Sequence, residues 1–471
     1  MTDFSRRHFF KTATLPLGGV SALATLPATA APAAAVPAAS PAHADGLRWL
    51  DGSAPELMLG ATLGLPWPRG VHKKGQDFHA LDSQGRPLPL QTWPLAWWPD
   101  GSLKWTAHAL PAGVEPGAAP SIRPGKGTST AGARVTVKTL ADAIEVDTGV
   151  LRCRLPRQGA QLISSVQRNG VEILSGCTLV AQADDKPDAE QGPVTQTALE
   201  SRIGQVTVEQ SGPVRAVVKV DGSHRSAAGR EWLPFSVRFY FYAGAESLRV
   251  MHTFVFDGDD QKDFMRGIGL RFAVPLRDAL HDRHIRFAGE AGGLWAEGVR
   301  NLTGLRRDPG AAVREAQLAG RATPPLEQWG TQVRKLHHRI PAWGDYTLSQ
   351  LSADGFQIKK RTKAGHGWIP AAFGQRAPGS GYIGGASGGV AFGLRDFWQR
   401  HPTQLDVRNA HTEAAQVTLW MHAPEAPAMD LRFYHDGLGM ETHEQELEGL
   451  EVTYEDYEKG FGTPVCIARS S

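Results

Sequence analysis

The chain has 471 residues, with 50 Lys and Arg against 48 Asp and Glu, a formal net charge of +2, and 41% hydrophobic residues. That hydrophobic share supplies real cores and excludes a disordered chain. The near balance of charge excludes nucleic acid as the main partner, because tracking phosphates demands a basic face. The length predicts two or three domains, and 53 Gly with 32 Pro lean towards short strands and turns. Cys153, Cys177 and Cys466 cannot make a disulfide framework, since one is left over and none stands in a Cys-x-x-Cys pair.

The chain begins with an address. Ser5-Arg6-Arg7-His8-Phe9-Phe10-Lys11 precedes a mildly apolar stretch from Leu15 to Leu26, then Ala- and Pro-rich residues up to Ala44. This pattern predicts a twin-arginine export signal over residues 1–44, with cleavage after Ala42-His43-Ala44 preferred to Ala28-Thr29-Ala30. The stretch is too short and interrupted to span a bilayer, and no Cys lies nearby for a lipid anchor. The expectation is a periplasmic or secreted protein, exported by the twin-arginine machinery, without a permanent membrane anchor. Arg6, Arg7 and Lys11 against Asp3 account for the whole net charge, so the rest of the chain is balanced.

Residues 45–133 alternate short apolar runs with turn clusters at Asp82-Ser83-Gln84-Gly85 and Pro99-Asp100-Gly101-Ser102. Trp97, Trp98, Leu103 and Trp105 around the second cluster predict a β-hairpin with an aromatic face. Residues 111–133 turn Pro-, Gly- and Ala-rich, which predicts a linker. From residue 134 to 471 strand patterns barely stop: 133–137, 206–208, 214–220, 236–242, 249–256, 268–274, 346–351 and 417–422. Residues 308–328 are the best candidate for a short helix. The fold class is mostly β, a small barrel-like domain followed by a large antiparallel β-sandwich.

Thirteen Trp against seven Tyr is a bias, and Trp67, Trp93, Trp97, Trp98 and Trp105 crowd one stretch. An indole stacks on the C–H face of a sugar as readily as it fills a β core. Gly385-Ala386-Ser387-Gly388-Gly389 matches the nucleophile pattern G-x-S-x-G, but a strand pattern follows where an elbow needs a helix, so a tight turn is expected. No metal site stands out. His337 and His338 are adjacent, so a strand would send them to opposite faces, and His443-Glu444 lacks a second His. Asp257-Gly258-Asp259-Asp260 with Asp263 is the candidate for calcium, yet it lacks the loop spacing and reads as a solvated hairpin tip. No other cofactor is implied.

The richest polar stretch runs from Lys359 to His435. It holds Lys360, Arg361, His366, Trp368, Arg376, Tyr382, Arg395, Trp398, Arg400, Arg432, Tyr434, His435 and Asp436. Cations, indoles, His and Tyr without a metal motif suit an acidic saccharide: Arg takes the carboxylate, Trp stacks, and His or Tyr moves protons. A sheet edge with solvated charges has the same composition.

Several segments resemble one polysaccharide lyase family, that of the bacterial YetA-like proteins and the fungal rhamnogalacturonan exolyases. They are Gly64-Leu65-Pro66-Trp67-Pro68-Arg69-Gly70, the run from Pro94 to Trp105, Lys360-Arg361-Thr362, the run from Arg395 to Asp406, and Tyr454 to Pro464. The resemblance implies a RIFT-type N-terminal barrel, a central β-sandwich, and then an α/α toroid for which this chain leaves no room. It also implies an acidic plant polysaccharide as partner, of the uronate-containing rhamnogalacturonan type, cleaved by β-elimination. In that chemistry Arg361 and Arg395 would neutralise the uronate carboxylate and the developing enolate. His366 and His435 would serve as base, with Tyr434 or Tyr382 as acid. Lys360, Trp368, Trp398 and Arg432 would hold the chain. Two alternatives stay open: a carbohydrate-binding protein that does not cleave, and a glycoside hydrolase, which needs two carboxylates flanking the bond.

Overall fold

Strands of two to eight residues between turn clusters build two small antiparallel sheets at the start of the chain. The computed structural model describes residues 47, 49, 53–114, 120–127, 132–190, 192–259, 262–430, 445 and 448, with the backbone of 468–470. Ala61–Pro66, Leu103–Leu110 and Gln91–Trp97 form one sheet, with Leu103–Leu110 in the centre. Pro87–Leu88, Phe78–Leu81 and Ser121–Pro124 form the other. The 111–133 segment is therefore more than a linker. Its Ile122 is fully buried, which draws Ser121–Pro124 back against Phe78–Leu81.

The expected hairpin turn is present and locked. Gly101 adopts φ +80°, and the Asp100 carboxylate accepts the Ser102 N–H at 3.0 Å and its hydroxyl at 2.6 Å. The crowded tryptophans divide between core and surface. Trp67 is buried, stacked on Phe78 at 5.2 Å, and donates its Nε1–H to Thr106 at 2.7 Å. Trp98 donates to the Trp67 carbonyl, whereas Trp97 and Trp105 lie exposed.

The second domain is dominated by one large antiparallel sheet. Its order is Ile369–Gly374, Gly355–Arg361, Asp345–Ser352, Thr403–Arg408, Ala414–His422, Phe264–Pro275, Val171–Asp184, Gln196–Ser211, Arg215–Ser226, Glu231–Tyr242 and Arg249–Val255. Alternation sends Phe239, Phe241, Val218, Leu179, Ile268, Val417, Val407 and Leu348 to one face, where all are buried. Onto that face packs a four-stranded sheet of Leu294–Gly298, Arg283–Ala288, Ser380–Gly385 and Gly388–Gly393, which contributes Ile285, Phe287 and Ile383. Register shifts on the long strands let so wide a sheet bend round its core. The expected helical segment resolves into a helix Ala311–Leu318 and a 3₁₀ turn Leu326–Gln328, followed by a short helix Thr331–Leu336. His337 and His338 open a 3₁₀ turn after that helix, not a strand.

Barrel and sandwich meet through backbone and side chains. Ala112 N–H donates to the Ala243 carbonyl at 2.9 Å. Gln91 Oε1 accepts the N–H groups of Val214 and Arg215 at 3.1 and 2.8 Å. Gly60, at φ +99°, presses against the Tyr242 ring so closely that a Cβ there would lie 2.3 Å from it. Only glycine meets both conditions.

The sandwich also buries an unusual histidine pair. His224 and His252 lie 6.5 Å apart between ring centroids, and His224 Nδ1 donates to the Leu233 carbonyl at 2.8 Å. The other three ring nitrogens have no hydrogen-bond partner among the described residues. Burial pulls their pKa values down, to about 4 for His224 and about 3 for His252. Both rings are neutral in the folded protein near neutral pH, while the unfolded chain takes protons at about 6.5. Below that pH the unfolded state binds more protons, so stability falls as pH is lowered towards the folded values. His252→Phe should flatten the decline between pH 6 and pH 4 by about 1.4 kcal/mol per pH unit. Denaturant titrations at stepped pH read this directly, and an unchanged slope would refute it.

Candidate functional site

The face of the large sheet opposite the apolar core carries rows of polar and charged side chains. Register places Lys359, Thr347, Asp406, Thr418 and Arg271 on successive strands of one row. Arg361 and Asp345 begin the neighbouring row, which Arg408 continues. Every one of these positions falls on the same phase of its strand's alternation, which is why the sequence directs all of them to a single face.

Two buried carboxylates organise the rows. Asp406 accepts from Thr347 Oγ1 at 2.7 Å, Gln404 Nε2 at 2.9 Å and Trp420 Nε1 at 2.8 Å, and pairs with Arg408 at 2.7 Å. Arg408 also donates to the Tyr346 carbonyl at 2.6 Å, so it is fully engaged. Asp345, 2% exposed, accepts Arg361 Nε at 2.7 Å and the Asn409 N–H at 3.1 Å. Lys359 pairs with Glu425 at 2.6 Å.

Trp368 is the hub of the cations. Arg361, Arg408 and Lys359 approach its ring at 4.4, 5.0 and 5.1 Å from the centroid. The ring therefore holds guanidinium groups in place and is not an open stacking platform. Arg361 spends only Nε on Asp345, leaving both terminal nitrogens without a hydrogen bond among the described residues. Arg271 likewise makes a single hydrogen bond, from Nε to Thr418 Oγ1 at 3.3 Å. Burial works against its charge, partly offset by the fields of Glu200 and Asp406. These two open forks lie four strands apart, roughly 19 Å at the usual strand spacing. Such a separation suits an extended chain bearing repeated carboxylates.

The other expected site residues are dispersed. His366 is exposed in the loop between Gly355–Arg361 and Ile369–Gly374, its Nδ1 2.7 Å from Thr362 Oγ1. Lys360 faces away from Arg361, bound to Glu297 at 2.5 Å and lying over Trp343 at 4.2 Å. Tyr382 belongs to the four-stranded sheet, under Arg286 at 5.6 Å, and burial raises its pKa. Trp398 is covered by Arg376 at 4.4 Å. Arg395 projects into solvent, with only Asp396 near it at 3.8 Å. Arg432, Tyr434 and His435 lie outside the described residues. Arg271 and Arg408 escaped the sequence reading. Arg271 stands in an ordinary strand run, and only register brings it to this face.

The alternative motifs are accounted for locally. Ser387 occupies a strand-to-strand turn and donates Oγ to Asp278 at 2.6 Å, without the helix a nucleophile elbow needs. Asp263 is buried and gripped by both terminal nitrogens of Arg230 at 2.6 Å, and Asp257 accepts the Leu233 N–H at 2.7 Å. These two carboxylates of the expected calcium-binding tip are committed to protein donors.

The described residues thus form a small barrel leading into a large antiparallel sandwich. The chain belongs to the PcRGLX-like family: the N-terminal RIFT barrel domain model matches residues 43–125, and the central beta sandwich domain model matches residues 135–471. It is similar to a Bacillus subtilis (strain 168) protein named "Uncharacterized protein YetA", 34% identical over 434 residues. That match covers 90% of this chain and 48% of the relative, so the chain spans about half the length of the curated relative it matches.

Asp406→Asn would set an amide donor against either Trp420 or the Thr347 and Gln404 donors, and would remove the ion-pair partner of Arg408. A loss of about 3 kcal/mol in stability is expected, read by denaturant unfolding. Wild-type stability in that variant would show that Asp406 does not organise the face.

Proposed function

We propose that the chain handles a uronate-containing pectic polysaccharide of rhamnogalacturonan type, as part of a lyase that cleaves by β-elimination. The observation that carries this reading is the pair of open guanidinium forks, Arg361 and Arg271, spaced along one sheet face on which Asp406 is paired with Arg408 and Lys359 with Glu425. β-Elimination removes the proton at C5, beside the carboxylate, and expels the oxygen at C4. The C–H is a weak acid, so neutralising the carboxylate is the first requirement, and a fixed guanidinium does this without reorganising. Arg361, oriented by Asp345 and Trp368, fits that role. His366, in the loop that begins at Arg361, is the base on this reading. The Arg6-Arg7 segment supports export by the twin-arginine route, which would place the protein where such a polymer is met.

Binding without cleavage is the second reading. It is favoured by the placement of Tyr382 on the other sheet, away from the cation face.

Incubating the protein with rhamnogalacturonan separates the two. An ultraviolet-absorbing unsaturated product supports the lyase, and retention in affinity electrophoresis without product supports binding alone. Reducing ends without unsaturation would indicate hydrolysis and overturn both. Arg271→Met and Arg361→Met should each weaken retention by about tenfold, the loss of one charge-assisted carboxylate pair. Full retention in both variants would remove the sheet face from the reading.

A further inference from the structure

The seam between barrel and sandwich carries a second cluster that the face around Trp368 does not use. Arg215 lies between two aromatic rings, with its guanidinium carbon 5.0 Å from the Trp93 ring of the barrel and 5.0 Å from the Tyr240 ring of the sandwich. Arg249, directly opposite Tyr240 in the register, approaches the same ring at 5.9 Å. Among the described residues neither arginine has a carboxylate within 4.0 Å. Arg215 Nε is buried with no hydrogen-bond partner. Glu209 is held by both Arg238 Nε and Nη2 at 2.9 and 3.0 Å.

An uncharged surface adjoins these cations. Trp93 pairs with Ala107, and Trp105 stands two residues back along that strand, on the same face. Gly64, paired with Ala107 on its other side, leaves a recess flanked by Trp105 and Leu95: a Cβ there would lie 3.8 Å from the indole and 3.9 Å from Leu95. Trp105 is 40% exposed, Leu95 53%, and Trp97, one rung nearer the turn, 47%. The indole N–H groups of Trp97 and Trp105 make no hydrogen bond among the described residues, in contrast to those of Trp67 and Trp98.

We propose that this seam binds an acidic saccharide, with a uronate carboxylate on Arg215 and Arg249 and the adjoining sugar ring in the Gly64 recess against Trp105. An apolar protein surface would strand two guanidiniums and two indole N–H groups without partners. A carboxylate-bearing pyranose supplies acceptors for the cations, hydroxyls for the indole N–H groups, and a C–H face for the ring. The class of ligand follows the reading above, but the residues are separate from those of the sandwich face.

The test is a titration with an aldobiouronic disaccharide, a uronate linked to one neutral hexose, followed by tryptophan fluorescence. Wild type, Arg215→Met, Gly64→Leu and Arg271→Met are compared, with sodium acetate as the control anion. Arg215→Met keeps the stem packed between the rings and removes the charge, while Gly64→Leu fills the recess and leaves every aromatic ring in place. Affinity should fall about tenfold in each of these two, with melting temperatures close to wild type. Affinity that survives in Arg215→Met and Gly64→Leu but is lost in Arg271→Met would place binding on the sandwich face and overturn the seam. No saturable response in the wild type, an equal response to acetate, or a self-association that Gly64→Leu abolishes would each overturn it as well. Retention of the polymer by the Arg361 and Arg271 face is measured independently and stands or falls without this result.

Discussion

The register of the strand Asp345–Ser352 decides both faces of the sandwich at once. With Thr347 opposite Asp406, the odd-numbered residues Asp345 and Thr347 join the polar rows, and Tyr346 and Leu348 enter the core. A slip by one residue would bury Asp345 among Phe and Val and turn Leu348 outward. The two carboxylates on the polar side add a penalty to any such slip, because each is buried and takes donors from neighbouring strands. Core packing and cation placement are thus one constraint seen from two sides, and Trp368 can gather three cations only because that constraint holds.

A comparable economy governs the joint between the domains. Gln91 caps the start of Arg215–Ser226 by accepting the backbone N–H groups of Val214 and Arg215, and Gly212 leaves the space it needs, since a Cβ there would lie 2.2 Å from the amide. The same strand start positions Arg215 between rings from both domains. Hydrogen bonds that fix the orientation of barrel and sandwich therefore also fix the aromatic clamp, so the geometry of the seam belongs to the backbone and does not rest on side-chain choice alone.

Much of this architecture was legible in the sequence. Alternation in 236–242 and 417–422 marks strands whose inner face is apolar, and Pro99-Asp100-Gly101-Ser102 marks its hairpin because Gly101 supplies the positive φ. The density of cations after Lys359 pointed to Arg361 and Trp368. Which cations remain open was hidden, because pairing is settled across strands: Arg271 meets Thr418 at a separation of 147 residues. The division of the tryptophans was hidden for another reason. A register shift beside Leu95 breaks the alternation, so parity alone cannot tell buried from exposed indoles there. The 111–133 segment misled through composition, since one buried Ile122 outweighs its Pro- and Gly-rich surroundings.

The neutral histidine pair has a thermal counterpart. Because His224 and His252 are uncharged in the fold and protonate once exposed, unfolding in mildly acidic solution draws protons from the buffer. The heat absorbed on melting then includes the heat of ionising the buffer itself. Two buffers of different ionisation enthalpy would report different calorimetric enthalpies at one pH while agreeing on the midpoint, so the two rings leave a signature in heat as well as in stability.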